Sequence, residues 1–467
     1  MGEDYEVDLA VIGSGGAAMS AAIAASQAGK SVVLIERGVL GGTCVNVGCV
    51  PSKTLLAAAG ARHAALTSPF AGAPTSAGPV DLGALVAQKD DLIERLREAK
   101  YAEVAAAYGF EVRSGQAAFL NKDTLAVDGA ALRARAYLIA TGSTPAVPDV
   151  AGLDSIDWLT STTAMELTEL PESLVVIGGG YVGLEQAQLF AHLGARVSIV
   201  GRLAPHAEPE LAQRLREVFA DDGITVVEEH ATAVRPDARP HGQEVVVSTA
   251  SGAQVRGARV LVATGRFART DGLDLDAAAV DVDGRGFIVV NDFQCTSNPR
   301  IYAAGDVSGA PQYVYVAAAS GRAAARNALA DDDSATPERV DYTGLPAVVF
   351  TRPQLASAGH TEEEALALGR ACDCRILDLS DVPRALVQHD TRGAVKLVAD
   401  ATTGRVLGVH ALADGAGEMM LAATYAIKTG MTVDDLADTW APYLTMAESL
   451  RIVAGLFRNQ MPTSCCA

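Results

Sequence analysis

At 467 residues the chain is too long for a single hydrophobic core and has the length of about three domains. Hydrophobic residues make up 49% and charged residues 20%, and no apolar run is long enough to cross a bilayer, so a disordered or membrane-spanning protein is excluded. The net charge of −19 excludes nucleic acid and anionic lipid as main partners.

The start of the chain and its cysteine content predict a cytoplasmic protein. Acidic residues occupy several of the first positions, where a secretory signal would need positive charge. Seven cysteines do not make a disulfide scaffold in a chain of this length, and four of them lie in two close pairs. In a reducing compartment, such pairs indicate redox or metal chemistry.

The first predicted unit is a βαβ nucleotide-binding motif, LAVIGSGGAAMSAAIAASQAGKSVVLIERG. An apolar strand leads into the glycine turn of Gly13, Gly15 and Gly16, where the tight bend lets a pyrophosphate approach the backbone at a helix N-terminus. Ala18 allows the helix to pack closely on the strand. A second strand ends at Glu36, whose carboxylate can bind the adenosine ribose. This unit therefore predicts a dinucleotide site.

The segment GGTCVNVGCVPSK follows, with Cys44 and Cys49 separated by four residues. We expect a single helical stretch in which the two sulfurs meet across about one turn. The positive field at a helix N-terminus favours thiolates. Such a pair can accept two electrons as a disulfide or hold a soft metal as a dithiolate, and Gly42 indicates a backbone that another group approaches closely.

A second copy of the nucleotide motif begins at Gly178, Gly180 and Gly183, in LVVIGGGYVGLEQAQLFAHLGARVSIVGR. Superposing the copies puts Gly201 at the ribose position, because both span 23 residues from the first glycine. A 2′-phosphate needs that carboxylate to be absent and a cation nearby. Gly201 followed by Arg202 therefore predicts NADPH as the second dinucleotide.

These motifs, in this order, resemble the pyridine nucleotide-disulphide oxidoreductases, the family of glutathione reductase and dihydrolipoamide dehydrogenase. The resemblance also rests on ATG at residues 140–142, ATGR at 263–266 and CTSNPRIYAAGD at 295–306. It implies an α/β fold with two Rossmann-like domains, for FAD and NADPH, and a C-terminal α+β dimerisation domain. The implied boundaries are 1–152 with 272–342 for FAD, 153–271 for NADPH and 343–467 for a homodimer interface ending in a Cys-Cys tail.

The same resemblance implies roles for individual side chains. Lys53 is similar to the family lysine beside the flavin ring, and Glu185 to the glutamate paired with it, which a buried lysine needs in order to stay charged. Tyr181 matches a tyrosine that covers the flavin in some relatives, and Asp306 an aspartate near the ribityl-phosphate. Further implied contacts are Gly42, Thr43, Thr141 and Gly142 for FAD, and Gly265 for NADPH.

The segment APYLTMAESL departs from the pattern of most relatives, which carry His-Pro-x-x-x-E there. Tyr443 stands in that region, while Glu448 retains the glutamate. A disulfide substrate needs proton transfer to its leaving thiols, and histidine is the natural group for it near neutral pH. The missing histidine therefore argues against glutathione or lipoamide as substrate.

The last residues, TSCCA, carry the vicinal pair Cys465 and Cys466. Soft thiolates suit a soft cation and can pass it along by ligand exchange. With the PYLT and DVPRALVQHDTRG segments, this pair resembles the mercuric reductase branch of the family. That branch implies NADPH-dependent reduction of thiol-bound Hg(II) to Hg(0), with Cys44, Cys49, Cys465 and Cys466 holding the metal and Tyr443 and Tyr181 lining the pocket.

Two other functions stay open at this point. An ordinary disulphide reductase or dihydrolipoamide dehydrogenase is one, and a flavoprotein that sequesters mercury without turnover is the other. The remaining cysteines predict no ligand set: Cys295 opens the CTSNP segment, and the C-x-C of Cys372 and Cys374 could touch one metal but is more simply interpreted as part of a strand.

Overall fold

The computed structural model describes residues 5–239, 242–330 and 336–459. These residues form two compact units: unit 1 lies within Met1–Thr54, Ala84–Ala146 and Gly265–Asp341, and unit 2 lies within Leu55–Gly83, Val147–Thr264 and Tyr342–Ala467. Within the described ranges, no helix is both long enough and apolar enough to cross a membrane.

The regular elements follow one another along the chain. The strands are β1 (Val7–Ile12), β2 (Val32–Glu36), β3 (Glu111–Ser114), β4 (Ala117–Asn121), β5 (Thr124–Val127), β6 (Ala130–Leu132), β7 (Ala134–Ile139), β8 (Ser143–Pro145), β9 (Ser173–Ile177), β10 (Arg196–Val200), β11 (Thr225–Val227), β12 (Ala231–Arg239), β13 (Gly242–Thr249), β14 (Gln254–Gly257), β15 (Arg259–Val262), β16 (Arg266–Ala268), β17 (Ile301–Ala303), β18 (Pro346–Val349), β19 (Gln354–Gly359), β20 (Cys372–Asp378), β21 (Ala394–Asp400) and β22 (Val406–Ala413). The α-helices are α1 (Gly16–Gln27), α2 (Gly42–Asn46), α3 (Cys49–Leu66), α4 (Leu82–Arg97), α5 (Glu103–Tyr108), α6 (Ser161–Ala164), α7 (Tyr181–Leu193), α8 (Pro209–Asp221), α9 (Val314–Ala328), α10 (Glu362–Ala367), α11 (Pro383–Gln388), α12 (Ala416–Thr429), α13 (Val433–Asp438) and α14 (Glu448–Gly455).

Unit 1 is built on a five-stranded parallel sheet in the order β17-β7-β1-β2-β3. Its central strands β7, β1 and β2 each contain four consecutive buried apolar residues, because both faces of the sheet are covered. Helix α1 is rich in alanine, and this lets α9 approach it closely: a Cβ added at Gly321 would lie 2.1 Å from the carbonyl oxygen of Ala17. An antiparallel sheet, β4-β5-β6, and a two-stranded ribbon, β16-β8, complete the unit.

Unit 2 contains a second parallel sheet, β11-β10-β9-β15, and two antiparallel sheets, β12-β13-β14 and β18-β19-β22-β21-β20. Strands β12 and β13 are paired antiparallel. The α/β fold with two nucleotide-binding sheets and a C-terminal α+β region is confirmed. The three-domain boundaries stay a prediction, because residues of the second and third predicted domains fall in the same compact unit.

The five-stranded sheet of unit 2 carries one buried ammonium group. Lys396 is almost fully buried, and its Nζ lies 2.9 Å from Glu208, 3.0 Å from Glu210 and 2.8 Å from Glu362. Hydrogen bonds to these carboxylates raise the pKa of Lys396 although burial opposes this, so the side chain stays charged. Three hydrogen-bonded carboxylates offset the loss of hydration that burying a charge entails.

Replacing Lys396 with Met is expected to lower the free energy of unfolding by about 3–5 kcal/mol, because the carboxylate of Glu208 would remain buried without its cation. Chemical denaturation measures the change. Arg196→Ala is the control, since the Arg196–Glu172 pair has a similar N–O distance of 2.8 Å but both side chains are exposed. It should cost less than about 1 kcal/mol. Equal losses would contradict the role assigned to burial.

Candidate active site

The first glycine turn lies at the carboxyl edge of the parallel sheet of unit 1. Gly13 follows β1 with φ +108°, and a Cβ there would sit 2.4 Å from the carbonyl oxygen of Ala140, so this bend requires glycine. Helix α1 begins directly afterwards, capped by the backbone of Gly15 without a side-chain hydrogen bond. Its first N–H groups are therefore available to an anion.

Glu36 ends β2 beside this turn, as predicted. Its Oε2 accepts a 2.6 Å hydrogen bond from the Ser14 hydroxyl, and its Oε1 accepts one of 2.7 Å from the Gly38 amide. Ser14 in turn accepts a 3.0 Å bond from the Gly41 amide. Sequence reasoning missed Ser14, which joins the Glu36 carboxylate to the cysteine segment; a serine inside a glycine turn was the only signal.

Asp306 lies at the same edge of the sheet. It follows β17, which pairs with β7, and its Oδ2 accepts a 2.7 Å bond from the Ser143 hydroxyl. Arg266 is half-buried and donates a 2.7 Å bond to the same hydroxyl. The Thr141 hydroxyl donates a 2.6 Å hydrogen bond to the carbonyl oxygen of Arg269, so the hydroxyl of this predicted FAD contact already has a hydrogen-bond partner. In an open parallel sheet, ligands bind at this edge.

The cysteine segment packs against the glycine turn. A Cβ on Gly42 would lie 2.5 Å from the Cα of Gly15, so the two backbones are in close contact. The prediction of a single helix is wrong. Cys44 lies in the short α2, Cys49 is the first residue of α3, and the helical conformation is interrupted between them at Gly48. The break still leaves the two thiols hydrogen-bonded to each other.

The environments of the two thiols differ. The hydrogen bond with Cys49, followed by burial, raises the pKa of Cys44 well above its usual range, which keeps that sulfur protonated. Cys49 is exposed and stands at the N-terminus of an 18-residue helix, where the positive end of the dipole favours a thiolate. The pair therefore consists of one thiol and one site for a thiolate.

Tyr101 is a neighbour of this pair that sequence reasoning missed. It lies in a π-helical turn, Glu98–Ala102, between α4 and α5, and its ring is 3.6 Å from a Cβ position on Gly41. Burial, followed by the proximity of the cysteine pair, raises the pKa of Tyr101 to about 12. A π-turn is not visible in a helical periodicity pattern, so the sequence offered no usable signal.

The second glycine turn repeats the geometry in unit 2. Helix α7 begins at Tyr181 and is capped by the backbone of Gly180, where an added Cβ would meet nothing within 4 Å. Gly183 packs against the carbonyl oxygen of Gly178, 2.0 Å from an added Cβ. The open cradle at the helix N-terminus fits a dinucleotide pyrophosphate.

Strand pairing confirms that Gly201 and Glu36 are equivalent. Ile12 pairs with Ile35 in one sheet and Ile177 with Val200 in the other, so each predicted ribose position directly follows the corresponding pair. Gly201 has φ +145°, and its Cβ position is 3.1 Å from the Gly179 amide nitrogen, so a side chain there would be strained. Arg202 follows it and is exposed.

The other predicted site residues lie in separate places. Glu185 is buried in α7 and accepts a 2.9 Å bond from the Phe350 amide. It belongs to unit 2 and Lys53 to unit 1, so their pairing stays a prediction. Gly265 falls in unit 1, where its carbonyl accepts a 2.9 Å bond from the Ala146 amide.

Tyr443 and Glu448 flank a turn in the C-terminal part of unit 2. Glu448 is buried and contacts the Leu444 amide and Arg451, each at 3.3 Å. Tyr443 is exposed, and nearby Trp440 is 98% exposed, so this apolar surface is uncovered in a single chain. Cys465 and Cys466 lie outside the described residues.

A buried polar network in unit 2 was also missed. The rings of His63 and His192 stack 3.8 Å apart, and Asp222 accepts bonds from His192 at 3.0 Å and Gln188 at 2.7 Å. Burial, followed by His192, lowers the pKa of His63 to about 4. Arg392 lies 3.8 Å from the same carboxylate and pairs with Asp390 at 2.9 Å.

Comparison with known proteins decides the family. The sequence profile of the pyridine nucleotide-disulphide oxidoreductases matches residues 7–321, and that of their dimerisation domain matches residues 345–454. The chain belongs to the pyridine nucleotide-disulphide oxidoreductases. It is thus an oxidoreductase, and its family and relatives imply FAD and NADPH as cofactors. The dimerisation domain supports a homodimer.

Several members of this family are similar over nearly the whole chain. A mercuric reductase from Streptomyces lividans is 50% identical and covers 98% of both chains. One from Lysinibacillus sphaericus is 45% identical over 98% of this chain and 84% of its own. Among solved structures, the HOCl-induced flavoprotein disulfide reductase RclA from Escherichia coli has a TM-score of 0.84 and 29% identity, covering 96% of this chain and 99% of that one.

Proposed function

We propose that the chain is an NADPH-dependent mercury(II) reductase that converts thiol-bound Hg(II) to Hg(0) in the cytoplasm. The observation that carries the proposal is the Cys44 and Cys49 pair, packed against the first glycine turn at the head of α3. Tyr443, where most relatives carry a histidine, and the terminal Cys465 and Cys466 favour a metal over a disulfide as the substrate.

The residues around each turn fit their cofactor. The FAD pyrophosphate would lie on the turn and the closely packed helix start formed by Gly13, Gly15, Gly16 and Ala18. Glu36 would bind the FAD ribose, and Asp306 would face the ribityl-phosphate region. When bound, FAD carries electron pairs from the nicotinamide to the cysteine pair. Gly178, Gly180 and Gly183 would hold the NADPH pyrophosphate in the same manner.

The cysteines carry the metal through ligand exchange. A thiol complex of Hg(II) exchanges first onto Cys465 and Cys466 of the partner subunit and then onto Cys44 and Cys49, with one thiolate bond forming as another breaks. NADPH is the reductant and would supply the two electrons that convert the bound Hg(II) to Hg(0), so the cysteines are not consumed. A neutral metal atom has little affinity for thiolates, so the product leaves and the cysteines remain. No proton has to reach a leaving group, which agrees with Tyr443 replacing a histidine.

Replacing Arg202 with Ala is expected to lower kcat/KM for NADPH by roughly ten- to a hundredfold and to leave NADH almost unchanged. The loss corresponds to about 1.5–3 kcal/mol for a charge-assisted hydrogen bond to the 2′-phosphate. Initial rates with each nucleotide measure it, and Gly201 is retained because a side chain there would be strained. Arg235→Ala, an exposed arginine of β12, is the control. Equal loss with both nucleotides would refute the role of Arg202.

The decisive experiment is Hg(II)-dependent oxidation of NADPH in excess thiol, with elemental mercury collected as vapour. We expect one Hg(0) for each NADPH consumed, over many turnovers per dimer. Activity on lipoamide or glutathione disulfide without mercury-dependent oxidation would instead support an ordinary disulphide reductase. Mercury bound without release of vapour would support a sequestering flavoprotein.

A further inference from the structure

The C-x-C of Cys372 and Cys374 opens β20, the edge strand of the five-stranded sheet of unit 2. Side chains two residues apart on a strand share a face, so the two sulfurs point the same way. Both thiols are half-buried, and they pack with Ala365 of α10 against Val398 and Leu407. Interpreting the pair as part of a strand is correct, but it omits that a helix covers both thiols.

Helix α10 brings a third ligand group to this face. Glu362 is its first residue and is held in position because Thr361 caps the helix in a capping box with Glu364. The Cys374 thiol is hydrogen-bonded to the Glu362 carboxylate. The two sulfurs and a carboxylate oxygen lie within 4.8 Å of one another. Two sulfur ligands on opposite sides of one cation would be roughly 4.6 Å apart, because a metal–sulfur bond is about 2.3 Å long. The separations between the three ligand atoms therefore suit a single cation.

The charge around this group favours a cation. Glu362 Oε2 lies 2.8 Å from the ammonium of Lys396, which also contacts Glu208 and Glu210. Three carboxylates thus face one ammonium, so a net negative charge remains. The other cluster of three possible ligands in the described residues, His63, His192 and Asp222, contains no sulfur and only one carboxylate.

We propose that Cys372, Cys374 and Glu362 form a second metal site, which binds one thiophilic divalent cation such as Cd(II), Zn(II) or Hg(II) per chain. Binding forms two metal–sulfur bonds, breaks two S–H bonds and releases two protons to solvent. No oxidant or reductant is needed. The site does not depend on the activity proposed for Cys44 and Cys49.

The direct test uses a chain in which Cys44, Cys49, Cys465 and Cys466 are all Ser, leaving three cysteines. Titration with Cd(II) should show one cation per chain, ultraviolet thiolate-to-cadmium absorbance, and two thiols protected from a thiol reagent. Adding Cys374→Ser should weaken binding by more than about a hundredfold, since losing a supporting group already costs roughly ten- to a hundredfold. The matched control is Cys295→Ser, which removes a half-buried cysteine elsewhere and should change nothing.

A second measurement keeps the test valid if that chain folds poorly. In the complete enzyme with its remaining cysteines intact, Cys372→Ser with Cys374→Ser should remove one bound Cd(II) per chain and leave NADPH oxidation unchanged. Zn(II) and Hg(II) should compete for the same site, and Mg(II) should not. An unchanged Cd(II) count, an equal effect of Cys295→Ser, or competition by Mg(II) would each overturn the proposal.

Discussion

Cys44→Ser and Cys49→Ser are each expected to reduce mercury-dependent NADPH oxidation by at least about a thousandfold, because the two sulfurs act as one unit and neither works alone. Each substitution removes one ligand of the bound metal and one member of the thiol pair. Cys295→Ser is the control and should retain full activity, since its sulfur contacts the carbonyls of Thr296 and Asn298 and the side chain of Tyr302, none of which is assigned to the site. Turnover near the normal rate in either variant would exclude this pair as the reducing site.

The two variants should differ in one spectroscopic respect. With FAD bound, a thiolate beside the oxidised flavin gives long-wavelength absorbance after partial reduction. Cys49→Ser should abolish that absorbance and Cys44→Ser should retain it, because Cys49 stands at the N-terminus of α3 whereas the pKa of Cys44 is raised by its hydrogen bond with Cys49 and by burial. The reverse result would exchange the assignments of the two sulfurs.

Changing both Cys465 and Cys466 to Ala is expected to remove most activity with glutathione-bound Hg(II) and to retain far more with a small halide complex. Bulky thiol ligands must be displaced one at a time, and without tail thiolates the inner pair has no partner for exchange. A small, weakly held complex can reach Cys44 and Cys49 directly. The FAD content and the long-wavelength absorbance should stay unchanged. Equal losses with both substrates would show that the tail does not deliver mercury.

Heterodimers test whether the tail serves the partner subunit. One subunit carries the double tail substitution and the other carries Cys44→Ala, so the single intact inner pair lies in one subunit and the single intact tail in the other. Such heterodimers should reduce glutathione-bound Hg(II) at a substantial fraction of the rate per intact site. Inactive heterodimers that are folded and contain FAD would disprove delivery between subunits.

Features that depend on neighbouring residues in the chain were predictable from the sequence. The two βαβ units, their glycine turns and the equivalence of Glu36 and Gly201 follow from local spacing, and strand register confirms the equivalence. The cysteine pair was recognised for the same reason, although its single helix was wrong because Gly48 interrupts it. The family resemblance was available from motifs that each occupy a short segment.

By itself the sequence determined the class of fold, the glycine turns for the cofactors and the thiols that can react, because each depends on residues that are close together along the chain. Only the tertiary structure placed Tyr101 beside Cys44, gathered three carboxylates around Lys396 and set Glu362 over the C-x-C strand. These groups come from distant segments. Burial and electrostatic fields depend on distances in space, and these distances cannot be obtained from the spacing of residues along the sequence.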